Sequence, residues 1–162
     1  MYVGGIEAHW QAEGAIMQGL ATQNDGIKYI LTVIDVCSKF AWSEPVQKKD
    51  AGAVADALKQ VLQQAGPRKL KRLQTDKRKK FFKSTFAALM RRHGISHFVS
   101  ESDQKAAVVE RFSRTLNTRI YTLFLDRRTT RWVDVIQNFV RAYNSSIHRT
   151  IGIAPNHVRK QD

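Results

Sequence analysis

The chain has 162 residues, enough for one domain with a real core, and its 43% hydrophobic content with only three prolines excludes wholesale disorder. Lys and Arg number 27 against 14 Asp and Glu, and the resulting charge of +13 points to a polyanionic partner. Cys37 is the single cysteine, which excludes an intrachain disulfide and a cysteine zinc site, and no apolar run reaches the ~18 residues needed to cross a bilayer. These totals predict one soluble intracellular domain over 1–162 with no membrane partner; the lead "MYVGG", residues 1–5, reads as an appended start.

Residues 9–20, "HWQAEGAIMQGL", read as a first strand, and the Asn-Asp-Gly of "ATQNDG" predicts a hairpin into the next. "IKYILTVIDV", 27–36, is a near-continuous β-branched run, the pattern of a central strand covered on both faces. "FAWSEPVQ", 40–47, gives a third antiparallel strand that Pro45 confines to an edge or ends. From Asp50 the period changes to helical, with apolar residues at 54, 57, 58, 61 and 62, Asp50 as N-cap and Gly66 as the stop before Pro67. "KLKRLQTD" is a strand ending at Asp76, "FKSTFAALMRRHG" a helix stopped by Gly94, and "ISHFVS" another strand. After a loop at "ESDQKA" come two helices, "AVVERFSRTLNTRIYTLFLD" and "TRWVDVIQNFVRAYNSSIH". The tail over 147–162, with Gly152 and Pro155, is expected to wrap back over the domain. The order predicts an α/β domain with a mixed sheet and flanking helices.

The charge is concentrated. Between Gly66 and Arg92 stand eleven basic residues and one acid, +10 of the total +13 in one sixth of the chain, a density that favours nucleic acid over a merely solvated face. The single acid is Asp76, at the end of its strand in "LQTDKRKKFF". Glu13 lies within the first strand and Glu110 in the first turns of the long helix. Three carboxylates converging from separate elements would repel one another unless divalent cations filled the site, and two such cations suit phosphodiester chemistry. Each acid also has an ordinary role: Glu13 as a surface acid on an edge strand, Asp76 as an N-cap for the next helix, and Glu110 as an i,i+4 partner of Arg114. Asp35 reads as a turn residue, with a second role as a substitute for Glu13. Trp132, Phe139, Val140 and Tyr143 fall at helical spacing, which favours core or dimer contact over base stacking, and His93, His97 and His148 have no zinc-ligand spacing.

"HWQAE", "YILTVIDVCSKFAW", "LQTDKRKKFF", "HGISHF", "KAAVVERFSRTL" and "YNSSIHRTIGIAPNHV" occur in an order and spacing that resemble the catalytic core of retroviral-type integrases. They look most like integrases of the Maverick/Polinton DNA transposons and their domesticated derivatives. The resemblance covers nearly the whole chain. It implies an RNase H-like fold with a five-stranded mixed sheet, and Mg²⁺- or Mn²⁺-dependent DNA 3′-processing and strand transfer by an Asp, Asp, Glu triad. Position by position, the first Asp of that pattern, after "WQA", falls on Glu13, the second on Asp76 and the third on Glu110, with 33 residues between the last two. The same resemblance implies DNA contacts by Arg114 and Asn117, one and two turns beyond Glu110; the residues themselves add Lys105 and the basic flank Lys77, Lys79 and Lys80. It also implies a homodimer, nuclear in a eukaryotic host, and a core without the zinc-binding and chromatin- or DNA-binding modules of full integrases. Three positions depart from the pattern: Glu13 carries an extra methylene, Arg78 stands where a glycine is usual, and Lys80 where an acid or asparagine is frequent. These departures favour weakened activity, with a catalytically inactive DNA-binding or dimerisation module as the alternative and a plain ribonuclease H, which normally uses a fourth carboxylate, as a third reading.

Overall fold

Burial along "HWQAEGAI" runs unbroken from Trp10 to Glu13, which is what a strand in the middle of a sheet requires. The structure, a computed structural model, describes residues 9–66, 68–76, 84–100 and 106–159. His9–Ile16 (β1) pairs antiparallel with Tyr29–Asp35 (β2), which pairs antiparallel with Ala41–Val46 (β3). On its other side β1 pairs parallel with Arg72–Asp76 (β4), and β4 pairs parallel with Ser96–Ser100 (β5). The sheet therefore has five strands in the order β3-β2-β1-β4-β5, with the Pro45 strand at an edge as expected.

Helices cover both faces. Ala51–Ala65 (α1) starts where the Asp50 carboxylate accepts from the Ala53 amide at 2.8 Å and stops at Gly66, whose φ of 59° is left-handed. With Ser84–Arg92 (α2) it buries Val54, Leu58, Val61, Phe86 and Met90 against Trp10, Leu31, Val33 and Leu73. Trp10 and Trp42 stack at 4.4 Å in the same layer. On the opposite face Ala107–Arg127 (α3) and Ile136–Ser145 (α4) cover Ile30, Ile34 and Ala41 with Val109, Phe112, Leu116, Ile120, Ile136 and Val140. Trp132 and Val140 are core, in line with their helical spacing, and Phe139 and Tyr143 pack half-buried beside them. The tail turns back at Gly152 and buries Ala154, Pro155 and Val158.

Two expectations are corrected. The first strand ends at Ile16 rather than residue 20, and a 3₁₀ segment, Gln18–Asn24, lengthens the connection of the expected β1–β2 hairpin. The second of the two C-terminal helices begins at Ile136 rather than 130. One buried side chain explains both. Asn24, fully buried, accepts from the Trp132 amide at 2.7 Å and the Val133 amide at 3.2 Å, and donates to the Leu20 and Thr130 carbonyls at 2.9 Å each. The turn residues are thus spent on docking the α3–α4 connection, and Asp25 and Gly26 still take the left-handed φ values, 57° and 76°, that Asn-Asp-Gly announced.

A second polar chain ties the sheet to α3. Gln74 on β4 accepts, through Oε1, from Gln11 Nε2 at 3.1 Å and His9 Nε2 at 2.9 Å on β1. Gln11 Oε1 then accepts from the Val108 and Val109 amides at 3.0 Å each, taking two donors that a helix N-terminus leaves open. Nearby, Thr32 on β2 donates to the Glu13 carbonyl at 3.2 Å and shares a 2.7 Å bond with Ser113 of α3.

Asn24→Ala is expected to destabilise the fold by about 2–4 kcal/mol, since buried amides and carbonyls lose their partners together; urea unfolding measures it. Gln11→Ala is expected to cost about 1–2 kcal/mol and to speed hydrogen exchange at the Val108 and Val109 amides. Gln11→Glu keeps the two accepting contacts to α3 and is expected to leave that exchange near its original rate.

Candidate active site

The polar chain from Gln74 through Gln11 to Val108 fixes where the three predicted carboxylates fall. Each stands two residues further along its own element: Asp76 beyond Gln74, Glu13 beyond Gln11, Glu110 beyond Val108. On a strand a step of two returns the side chain to the same face. Glu13 and Asp76 therefore share the face on which Gln11 meets α3, opposite the Trp10 and Leu73 layer. The parallel pairing of β1 with β4 runs from His9↔Arg72 to Gln11↔Gln74, ending just before Glu13 and Asp76, and Asp76 itself pairs with Ser100 on β5.

Glu13 is 7% exposed and lies on the central strand, not on an edge as a surface acid would. Glu110, in the first turn of α3, has 37% of its side chain exposed. The two line one open cavity of about 420 Å³, together with Ser113, Arg114, Asn117 and Tyr121 on the same side of α3 and Gly14 to Met17 on β1 and just beyond it. Positions 110, 113, 114, 117 and 121 are one stripe of an α-helix, so Arg114 and Asn117 do flank Glu110 as their spacing suggested. Asp76, half-buried, is not among the described residues lining that cavity, and among the described residues no group of three or more His, Cys, Asp or Glu stands close enough to hold a metal ion. Lys77, Lys79, Lys80 and Lys105, with Arg78, lie outside the described residues. So does the segment that would decide whether Asp76 caps α2, which is described from Ser84.

Arg114 reaches Glu110 at 3.4 Å, so the ordinary i,i+4 pairing holds as well. With 74% of the Arg114 side chain exposed, such a contact contributes at most about 1 kcal/mol, and the guanidinium is available to another anion. Glu13 and Glu110 line the same cavity, and hard oxygen donors of this kind suit Mg²⁺ or Mn²⁺. The donor chemistry fits a divalent ion at Glu13 and Glu110.

Asp35 is excluded as a substitute for Glu13. It faces the opposite side of the sheet, in register with Trp10, and is fully buried in a turn network. Its carboxylate accepts from the Cys37 amide at 3.0 Å and the Ser38 hydroxyl at 2.8 Å, with Arg68 4.0 Å away, and it holds the β2–β3 turn where Lys39 takes a left-handed φ of 62°. The turn role is the one it fills. Of the histidines, His97 bonds Thr75 at 2.8 Å and His148 accepts from the Thr150 amide at 3.2 Å. Burial is the main cause that lowers the pKa of His97, and likewise of His9 despite its bond to Gln74.

Sequence reasoning passed over Gln11, Gln74, Thr32 and Ser113. The first two had a usable signal: on each strand an amide stands two residues before an acid.

Three comparisons bear on this arrangement. The family model described as "Integrase core domain" matches residues 7–105, a span that includes Glu13 and Asp76 and ends before Glu110. A transposon-derived protein of Caenorhabditis elegans is 32% identical over 139 residues, 86% of this chain, which spans about half (48%) of that relative's length. The fold is similar to the magnesium-bound catalytic core domain of HTLV-2 integrase, with a TM-score of 0.73 at 16% identity over 94% of this chain and 95% of that one. It is similar also to the catalytic core domain of BIV integrase, with a TM-score of 0.66 at 19% identity over 91% and 90% of the two chains. The five-stranded mixed sheet with helices on both faces is thus the RNase H-like fold of integrase catalytic cores, and the chain belongs to the integrase core domain family.

Proposed function

We propose that this chain is the catalytic core of a transposon integrase, a polynucleotidyl transferase that trims DNA 3′ ends and joins them to a target. The observation that carries the proposal is the shared placement of Glu13 and Glu110 in one cavity, with Asp76 on the same face of the sheet. In strand transfer a DNA 3′-hydroxyl oxygen forms a bond to a target phosphorus as the phosphorus bond to the target's own 3′ oxygen breaks, and the released oxygen takes up a proton. The number of phosphodiesters is unchanged. Glu13 and Glu110 would hold the divalent ion, with Asp76 completing the donor set; bound there, it would sharpen the attacking oxygen and neutralise charge on the leaving one.

The remaining roles belong to the chain itself. Arg114 and Asn117, on the cavity side of α3, offer a charged and a neutral donor to phosphate and sugar oxygens without reading sequence. The Arg114–Glu110 contact neutralises Glu110 until phosphate draws the guanidinium away. The basic flank Lys77, Lys79 and Lys80, with Lys105, would hold the DNA that Asp76 acts on. We further propose a homodimer, for which the exposed Leu125 of α3 offers apolar contact, acting in the nucleus of a eukaryotic host. No described helix is long and apolar enough to cross a membrane.

A second reading follows from Glu13 itself. Its extra methylene, in a buried position, moves the carboxylate relative to an aspartate, and a ~1 Å misplacement at a reacting centre can cost roughly 10²-fold in rate. A core that binds DNA without joining it is the alternative.

Mn²⁺-dependent joining of a labelled short duplex into a plasmid decides between them. The proposal expects joining by this protein, and a loss of at least about 10²-fold in Asp76→Asn and Glu110→Gln. Joining by Glu13→Asp alone would place the loss of chemistry at one methylene, and joining by none would leave the DNA-binding module. Light scattering at high concentration is expected to return twice the 18.5 kDa of one chain, and a monomer would count against the dimer.

A further inference from the structure

Helix α3 carries a second functional stripe. Arg111, Thr115 and Arg119 recur every four residues, rotated about 100° from the Glu110 stripe, as one residue of an α-helix must be. They line a separate groove of about 510 Å³ whose other wall is Tyr143 of α4 and the segment after it, with His148, Arg149 and Thr150. An adjoining hollow of about 70 Å³ shares Arg111, Thr115, Tyr143 and His148 and adds Lys39. None of the described residues lining either space is acidic. Among the described residues, neither Arg111 nor Arg149 takes part in a salt bridge. Arg119 is held in place by donating to the Phe139 carbonyl at 3.4 Å.

Arg111 and Arg149 are exposed, which leaves both guanidiniums open to a ligand, and the half-buried Lys39 beside Arg111 adds to the same positive field: burial, then Lys39 and Arg111, hold the His148 imidazole below its ordinary range. Burial also pushes the Tyr143 hydroxyl up to about 12, so it stays neutral and cannot offset the positive field. Arg111 and Arg119 lie two helical turns apart, about 12 Å along the axis, too far for one small anion to bridge. Successive phosphates of a nucleic-acid strand can reach both, and Thr115 and Thr150 add hydroxyl donors that suit phosphate oxygens.

We propose that this groove is a second DNA site, gripping the phosphate backbone of a duplex apart from the segment at the carboxylate cavity. Arg111 and Arg149 make the principal contacts, with Arg119 fixed behind them. The site requires no metal and stands whether or not the carboxylates perform chemistry.

The test is fluorescence anisotropy of a labelled 20-base-pair duplex with the full chain, in EDTA, across a series of salt concentrations. Replacing Arg111→Ala and Arg149→Ala together is expected to weaken binding at least about 10-fold at low salt and to flatten the slope of log K against log salt by about 1.8, roughly 0.9 for each lost phosphate. Lys48→Ala with Lys59→Ala removes the same charge elsewhere and is expected to leave the slope unchanged. Arg111→Gln with Arg149→Gln replaces the alanine pair should circular dichroism show that pair unfolded. An unchanged slope in the arginine variants, or an equal loss in the lysine control, would overturn the proposal. Failure of DNA joining with the slope effect intact would bear on the catalytic reading alone.

Discussion

The glutamine chain from β4 through β1 to the start of α3 is the contact on which the rest of the site depends. A sheet fixes the relative positions of its own strands through backbone ladders, but nothing in a ladder sets where a helix laid across it must begin. Gln11 does that by accepting two amides of α3, and Gln74 holds Gln11 in turn. All three residues of the carboxylate pattern are then counted from one network, two positions along each element. Because Gln11 is buried, an error in its placement would leave amides unsatisfied away from water, so the network is satisfied as a whole or costs stability.

This explains why a glutamate can occupy a nearly closed position on the central strand. Burying a carboxylate opposes folding by on the order of several kcal/mol unless its surroundings compensate. Apolar layers pack the two faces of the sheet around it. One sets Trp10, Leu31, Val33 and Leu73 under α1 and α2, and the other sets Ile30 and Ile34 under α3 and α4. The arrangement places function on the side where polar bonds, Thr32 to Ser113 and Gln11 to α3, interrupt the apolar packing. The opposite side keeps its one deeply buried acid, Asp35, for a turn.

Much of this was legible in the residues. Periodicity gave all five strands and the helices because β2 is dominated by β-branched and apolar residues and α1 carries both its cap and its glycine stop, signals that act over a few residues. The antiparallel β1–β2 hairpin forms, but through a longer connection than a local turn former announces, because the Asn24 side chain is claimed by amides more than a hundred positions away. The start of α4 was misplaced by the same interaction seen from its other end. Glu13 and Glu110 were identified as site residues by resemblance and pattern, and they do share a cavity. What no local pattern could supply is the face on which Asp35 sits, since that depends on pairing register, or the basic groove, whose walls come from the middle of α3 and the turn after α4.

The Asn24 tie also has a bearing on how the chain is made. The β1–β2 hairpin leaves the ribosome early, with Ile30 and Ile34 on a face that only α3 and α4 cover. At 5–20 residues per second, that face waits on the order of ten seconds for residues 109 to 140 to be synthesised. Until Trp132 and Val133 arrive, the Asn24 side chain lacks the two amides it accepts from, and α3 alone is there to cover that face. A product truncated before α4 would lack Ile136 and Val140 and leave part of that face uncovered.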